Sequence, residues 1–239
     1  MKLLDLTLST PAANLALDEA LLDAAEAEAG RDEILRIWEP PAHFVVIGRS
    51  SQVGREVNID ACRKRSVPIL RRASGGAAIL AGPGCLMYSV ILDYSQRPDL
   101  RMLDRAHEFV LSRVAAGLNS LGLTAEMRGT SDLVVEGRKV SGNSLRCKRD
   151  HWLYHGTLLY DFDLALVGEL LRMPPRQPEY RAGRPHGQFM ANLAASADAL
   201  RRALAIALEA DQPLEDWPCE RTERLVASRY ERDDWNARP

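Results

Sequence analysis

Two arginines run straight into paired glycines at Arg71-Arg72-Ala73-Ser74-Gly75-Gly76. The segment continues through Ala77-Ala78-Ile79-Leu80-Ala81 to a second glycine-bearing turn, Gly82-Pro83-Gly84, ahead of Cys85. Glycines let backbone amides approach a ligand closely, and guanidiniums beside them suit an anion. The segment has neither the GKS or GKT ending of a P-loop nor the GxGxxG of a dinucleotide fold. It reads as another kind of anion cradle or, from spacing alone, as a hairpin turn with solvated arginines.

A second stretch runs from Ser131-Asp132 through Leu133-Val134-Val135 to Glu136-Gly137, then Arg138-Lys139-Val140-Ser141-Gly142-Asn143-Ser144. Glu136-Gly137 suits a hairpin tip. Lys139 then enters a strand that turns small and polar at Ser141-Gly142, and a flexible lysine can reach over such residues toward an acid group. Taken alone, it also reads as a surface lysine on an edge strand. His155, before Gly156 and Thr157, suits a general base or a packed, hydrogen-bonded core histidine. Arg181, Arg184 and His186 fall in a Pro-, Arg- and Gly-rich loop over 174–189, which suits a cover for a site, a surface for an acidic domain, or a solvated loop.

Four cysteines, Cys62, Cys85, Cys147 and Cys219, are scattered without a CxxC pair. That excludes a zinc knuckle or a dense disulfide framework and fits a reducing cytosol. A thiolate nucleophile needs a base or a positive field, and only Cys85 and Cys147, the latter between Arg146, Lys148 and Arg149, are candidates.

The elements that must hold these residues follow from periodicity. A strand opens the chain, and a helix from Asn14 carries Leu17, Leu21 and Ala24 at helical spacing toward a stop at Gly30. Apolar runs at 34–38, 44–47, 67–70 and 87–92 predict strands of one sheet. A helix over 102–121 follows, then strands at 132–135, 138–141 and 152–160, a short helix over 163–171 and a helix over 191–208. Pro213 and Pro218 mark a hinge before a charged helix over 220–235, where Tyr230 and Trp235 are expected to pack on the core or on a partner domain. Strands clustered between helices argue for a mixed α/β (α+β) sheet flanked by helices over a doubly wound parallel fold.

At 239 residues with 46% hydrophobic content, the chain can bury a substantial core. One large domain over 1–212 with a helical extension over 213–239 packed on it is the expected organisation. Thirty-one Lys and Arg against 33 Asp and Glu give a net charge of -2, so no basic field calls for nucleic acid or anionic lipid. No apolar run reaches membrane-spanning length and no signal segment is visible, so a soluble, cytoplasmic protein is expected.

Several motifs in fixed order resemble the lipoate protein ligase A family. They are Asn14-Leu-Ala-Leu-Asp-Glu-Ala-Leu-Leu, Arg71 to Gly76, Asp132-Leu-Val-Val, Gly137-Arg-Lys-Val-Ser-Gly and His155-Gly-Thr-Leu-Leu, with the terminal Ser228-Arg-Tyr-Glu-Arg-Asp-Asp-Trp-Asn. The resemblance implies the catalytic fold shared with biotin ligases and class II aminoacyl-tRNA synthetase cores. It implies ATP and Mg2+, with lipoate as substrate, and a lipoyl-AMP intermediate whose acyl group passes to an acceptor lysine. By position it assigns the nucleotide to Arg72, Ala77, Ala78, Ile79, Leu80 and Lys139. It assigns lipoate to Ser74, Gly75, Gly76, Lys139, Ser141, Gly142, His155 and Gly156, with Asp132 elsewhere in the cleft and Lys139 as the catalytic residue. The implied partners are lipoyl domains of 2-oxoacid dehydrogenase subunits or the glycine cleavage H protein, and a separate accessory-domain protein.

This sequence departs from the family in having Ala77 for a third glycine and Ala81-Gly-Pro-Gly-Cys85 for His-Asp-x-Gly-Asn. Two alternatives follow, an octanoyl or lipoyl transferase working through a cysteine thioester and a non-catalytic lipoate-binding homologue.

Overall fold

The computed structural model describes residues 1–28 and 32–238. Its strands are β1 (Lys2–Asp5), β2 (Ile34–Trp38), β3 (Phe44–Ile47), β4 (Ile69–Arg71), β5 (Ile79–Ala81), β6 (Cys85–Asp93), β7 (Ala125–Arg128), β8 (Asp132–Val135), β9 (Arg138–Cys147), β10 (His151–Leu159) and β11 (Gln212–Pro213). Its helices are α1 (Pro11–Glu28), α2 (Val53–Glu56), α3 (Ile59–Lys64), α4 (Leu103–Ser120), α5 (Leu164–Leu170), α6 (His186–Phe189), α7 (Ala197–Ala207), α8 (Cys219–Leu225) and α9 (Asp233–Asn236).

Nine-residue runs that are apolar on both sides belong in the middle of a covered sheet, and β6 and β10 lie side by side at its centre. The eight-stranded sheet has the order β11-β1-β2-β6-β10-β9-β8-β7. The β11–β1 and β1–β2 pairings are parallel and the rest antiparallel, so the sheet is mixed as expected. Leu17 and Leu21 of α1 cover one face at Ile34, Ile91 and Leu153. Val110, Val114, Leu200 and Leu204 of α4 and α7 cover the other at Leu35, Tyr88 and Tyr154. Each such leucine or valine contributes about 1.5–3 kcal/mol on burial, enough to set which face each helix takes.

Four expectations need correction. Strands β3 and β4 are not in the main sheet; with β5 they form a second sheet, order β4-β3-β5. Pro40 and Pro41, which lack N–H donors, interrupt the chain between β2 and β3 and release it from the ladder. The lysine strand runs on to Cys147, because β10 pairs with it from Asn143 to Cys147. The helix expected from Ala191 starts at Ala197, capped by Ser196; before it, Asn192 is tied to the N–H and carbonyl of Phe162 and Leu193 N–H to Leu159. The terminal helix breaks into α8, a π turn over Val226–Tyr230 and α9. The Gly30 stop lies outside the described residues.

Candidate functional site

Beyond β4 the chain turns sharply around Arg72. Its buried guanidinium donates to the carbonyls of Val46 (3.3 Å), Gly75 (3.0 Å from Nε) and Ala77 (3.1 Å), and to Ser74 Oγ (3.1 Å). Burial lowers its pKa to about 10, with Glu56 acting the other way, so it remains a cation at neutral pH. Gly76 sits at φ +90°, and a Cβ there would stand 2.8 Å from Arg72 Nη2, so both backbone and space demand glycine. Glu56 holds the far side of the turn, its carboxylate accepting the Ala78 N–H at 2.5 Å.

Arg71 is also buried. Its guanidinium donates to the carbonyls of Gly48, Arg49 and Ser51 on one side and Trp235, Asn236 and Arg238 on the other. Neither arginine is solvated, which removes the plain hairpin reading.

Strand pairing sets Asp132 opposite Gly142, and a β-bulge between Leu133 and Val134 brings Lys139 level with Val134. Lys139 Nζ rests 2.7 Å from Asp132 Oδ1. A Cβ on Gly142 would fall 2.8 Å from that nitrogen, so the lysine crosses the bare face of the glycine, the reach its small neighbours predict. Tyr180 donates its hydroxyl to the other Asp132 oxygen at 2.7 Å, and burial, then Asp132, push its ionisation up, so it stays a donor.

Arg36, Ser89, His155 and Ser144 stand opposite one another across β2, β6, β10 and β9. Asp18 of α1 lies against this row, accepting from Arg36 Nη1 at 2.5 Å and facing His155 Nδ1 at 3.7 Å. Burial pushes the Asp18 carboxyl up, but Arg36, then His155 and Ser89, outweigh it and hold it below its ordinary value. His155 Nε2 lies 2.6 Å from Ser74 Oγ, so both ring nitrogens face partners. One residue on, Glu19 gathers Arg146 (3.0 Å), Arg229 (2.5 Å) and the Tyr230 hydroxyl (2.8 Å), and Arg146 also reaches the Ala73 carbonyl.

These segments enclose a cavity of about 440 Å³. Of the residues expected at the site, Arg72, Gly76, Ala77, Ala78, Ile79, Leu80, Asp132, Lys139, Ser141, Gly142, His155 and Gly156 line it. Ser74 and Gly75 do not: Ser74 is buried behind His155, and the Gly75 carbonyl is taken up by Arg72 and Ser144. Leu15, Val46, Met87 and Leu159 supply an apolar wall, and Arg172, Arg176, Arg181 and His186 of the 172–190 segment line another part. Asp18, Glu56 and Arg172 are additions that sequence reasoning missed. Asp18 sits inside the quoted Asn14–Leu22 motif, which was the available signal.

Cys85 is fully buried, and burial pushes its thiol up to about 12. Cys147 is exposed at the end of β9. Neither lines the cavity. No helix among the described residues is long and apolar enough to cross a membrane.

The lipoyl protein ligase A/B catalytic domain model matches residues 10–207. Among curated relatives, a probable lipoate-protein ligase A of Mycoplasma pneumoniae is 34% identical over 164 residues, 68% of this chain and 46% of that protein. Octanoyltransferase LipM of Brevibacillus brevis is 29% identical over 96% of this chain and 95% of that protein. A crystal structure of lipoate-protein ligase A bound with ATP shares the fold, with a TM-score of 0.81 over 99% of this chain and 98% of that one at 23% identity. The chain thus spans about half the length of the Mycoplasma ligase. Matched over most of its length, this chain belongs to the lipoyl protein ligase A/B catalytic domain family.

Proposed function

We propose that this chain activates lipoate with ATP to lipoyl-AMP and transfers the lipoyl group to a lysine of a lipoyl-domain acceptor. Residues 1–212 would form the catalytic unit and 213–239 an extension packed on it. The observation that carries the reading is the Lys139 ammonium, held by Asp132 over Gly142 in one cavity with the Gly76–Leu80 segment and an apolar wall. Joining a carboxylate to the α-phosphate of ATP brings two anions together. A fixed ammonium between them relieves the repulsion and stabilises the charge that builds at phosphorus. The apolar wall suits the acyl chain.

Arg72 is spent on backbone carbonyls, so its part is to shape the nucleotide-facing turn; Gly76, Ser141, Gly142, His155 and Gly156 border the acyl side. The acceptor amine attacks the mixed anhydride directly, so no enzyme nucleophile is needed. Lipoyl domains of 2-oxoacid dehydrogenases and the glycine cleavage H protein are the acceptors in this reading, with a separate accessory-domain protein assisting adenylation.

Three carboxylates line the cavity, with Asp18 held by Arg36, Glu56 by the Ala78 N–H and Asp132 by Lys139, and no group of three or more His, Cys, Asp or Glu side chains is arranged for a metal among the described residues. That suits a magnesium ion completed by phosphate oxygens and water, where it would offset phosphate charge.

The match to octanoyltransferase LipM over nearly the whole of both chains favours a second reading, acyl transfer through a cysteine thioester. The burial of Cys85 and the position of Cys147 outside the cavity weigh against it. Two assays separate the readings: lipoate-dependent exchange of labelled pyrophosphate into ATP, and transfer from preformed lipoyl adenylate to an acceptor domain. Transfer from the adenylate supports the ligase. A chain that ignores the adenylate but takes octanoyl groups from a carrier protein, leaving a hydroxylamine-sensitive adduct on a cysteine, overturns it.

A further inference from the structure

We infer that His186 is the base that takes the proton from the acceptor lysine as its amine attacks the lipoyl adenylate, an assignment that rests on the function proposed above. The helix α6 that carries it is fastened to the lysine strand. Met190, just beyond α6, forms a parallel bridge with Lys139, and the Ala191 N–H donates to the Lys139 carbonyl at 2.9 Å. The neighbouring Arg138 donates to the carbonyls of Gly187 and Met190. Arg181 and Arg184 stack on Phe189 at the end of the same helix. His186 is therefore held in the wall of the cavity that contains Lys139.

The hydrogen-bond partner of the ring fixes its tautomer. His186 Nε2 lies 3.2 Å from the Arg172 carbonyl, and a carbonyl can only accept, so Nε2 carries the hydrogen and Nδ1 keeps a lone pair. Nδ1 has no partner among the described residues, yet it is not among the buried atoms left unpaired, so it remains accessible. His155, the other imidazole in the cavity, has both nitrogens facing partners.

Burial first, and then neighbouring charges, hold the His186 imidazole below its ordinary pKa. The charges that act on it are Arg181 and Lys139; Arg172 and Arg176 line the same cavity, Arg138 and Arg184 stand on the neighbouring segments, and the carboxylate of Asp132 is taken up by Lys139 and Tyr180. Burial lowers the imidazole pKa, the Arg172 carbonyl opposes this, and Arg181 and Lys139 lower it further. A neutral base titrating near or below the working pH is the form general-base catalysis requires.

The step balances as follows. The lysine nitrogen forms a bond to the acyl carbon, and the bond from that carbon to the phosphate oxygen breaks. AMP leaves with the electron pair, and the proton shed by the nitrogen passes to His186 Nδ1 and then to water. No oxidant or further reactant is involved.

The test is single-turnover transfer from preformed lipoyl adenylate to a lipoyl domain, followed between about pH 5 and 9. Wild type is expected to lose rate at low pH through a group titrating below the ordinary histidine value. In His186→Gln the amide can still donate to the Arg172 carbonyl, but the base is gone. That variant should transfer about 10²- to 10⁴-fold more slowly at neutral pH, lose the acid limb, and bind a non-reactive lipoyl adenylate analogue within twofold of wild type. Free imidazole should restore part of the rate to His186→Ala. A Gln variant transferring within twofold of wild type with the same limb overturns the assignment, as does a wild-type profile with no such limb should the variants melt early. Wild type that does not transfer from the adenylate at all overturns the proposed function, and this assignment with it.

Discussion

The Lys139 ammonium and the Asp132 carboxylate meet at 2.7 Å, with Tyr180 on the far oxygen of the same carboxylate. The pair holds the charge ready in the cavity without sealing it, since a quarter of the lysine side chain is exposed. Replacing Lys139 with Ala is expected to leave the thermal transition near that of wild type and to cut acyl transfer by about 10²- to 10³-fold, the usual loss for one electrostatic partner of a transition state. Rates of transfer alongside a melting curve check both halves.

Gly142→Ala tests the same pair from the other side. The added methyl would occupy the space 2.8 Å from Nζ, and the far end of a flexible lysine is what must move. The variant should fold normally and bind a lipoyl adenylate analogue at least tenfold more weakly, as read by calorimetry.

Asn236 accepts the Arg71 N–H at 2.9 Å, while the Trp235 indole donates to the Arg71 carbonyl at 2.8 Å. Asn236→Ala strands a buried backbone donor, at a cost of about 1–3 kcal/mol. Its denaturation midpoint should fall accordingly, and its affinity for the adenylate analogue should fall too, because Arg71 precedes the turn that Arg72 shapes.

The chain with Cys85→Ala and Cys147→Ser should lipoylate an acceptor from lipoyl adenylate at close to the wild-type rate. A buried thiol titrating near 12 supplies no thiolate at neutral pH, and the other cysteine lies outside the cavity. Loss of transfer in this variant would favour the thioester route.

Asp18 gives a pH signature. Its folded pKa is depressed, with burial outweighed by Arg36 first, so it adds stability above its unfolded value of about 3.9 that is lost as pH falls through the lower folded value. Arg36→Met takes from a buried carboxylate its strongest partner and leaves it only His155 and Ser89, which should cost about 3–5 kcal/mol at neutral pH. In that variant the folded pKa rises, so the deficit relative to wild type should shrink on acidification. Urea midpoints at several pH values read the sign directly.

Lys139 was legible in the sequence because its partners are local: Gly142 lies three residues away and Asp132 seven, across one hairpin. The main helices and the central strands were legible for the same reason, since their signal is periodic. Asp18 and Glu19 were visible only as polar positions in an apolar helix, because the arginines that explain them, Arg36, Arg146 and Arg229, come from distant strands and the far terminus. The solvated reading of Arg71 and Arg72 failed because backbone carbonyls, which carry no sequence signal, are their partners. Strands β5 and β7, three and four residues long, are too short to express a period, and the assignment of β3 to the main sheet missed the break at Pro40-Pro41.

The saturation of Arg71 by carbonyls on both sides orders events during synthesis. Three of its acceptors, on Trp235, Asn236 and Arg238, are made more than 160 residues after the arginine itself. A nascent chain can therefore assemble its central sheet while Arg71 still lacks half of its acceptors. The strand that leads into the glycine turn gains its full support only when residues 235–238 have left the ribosome.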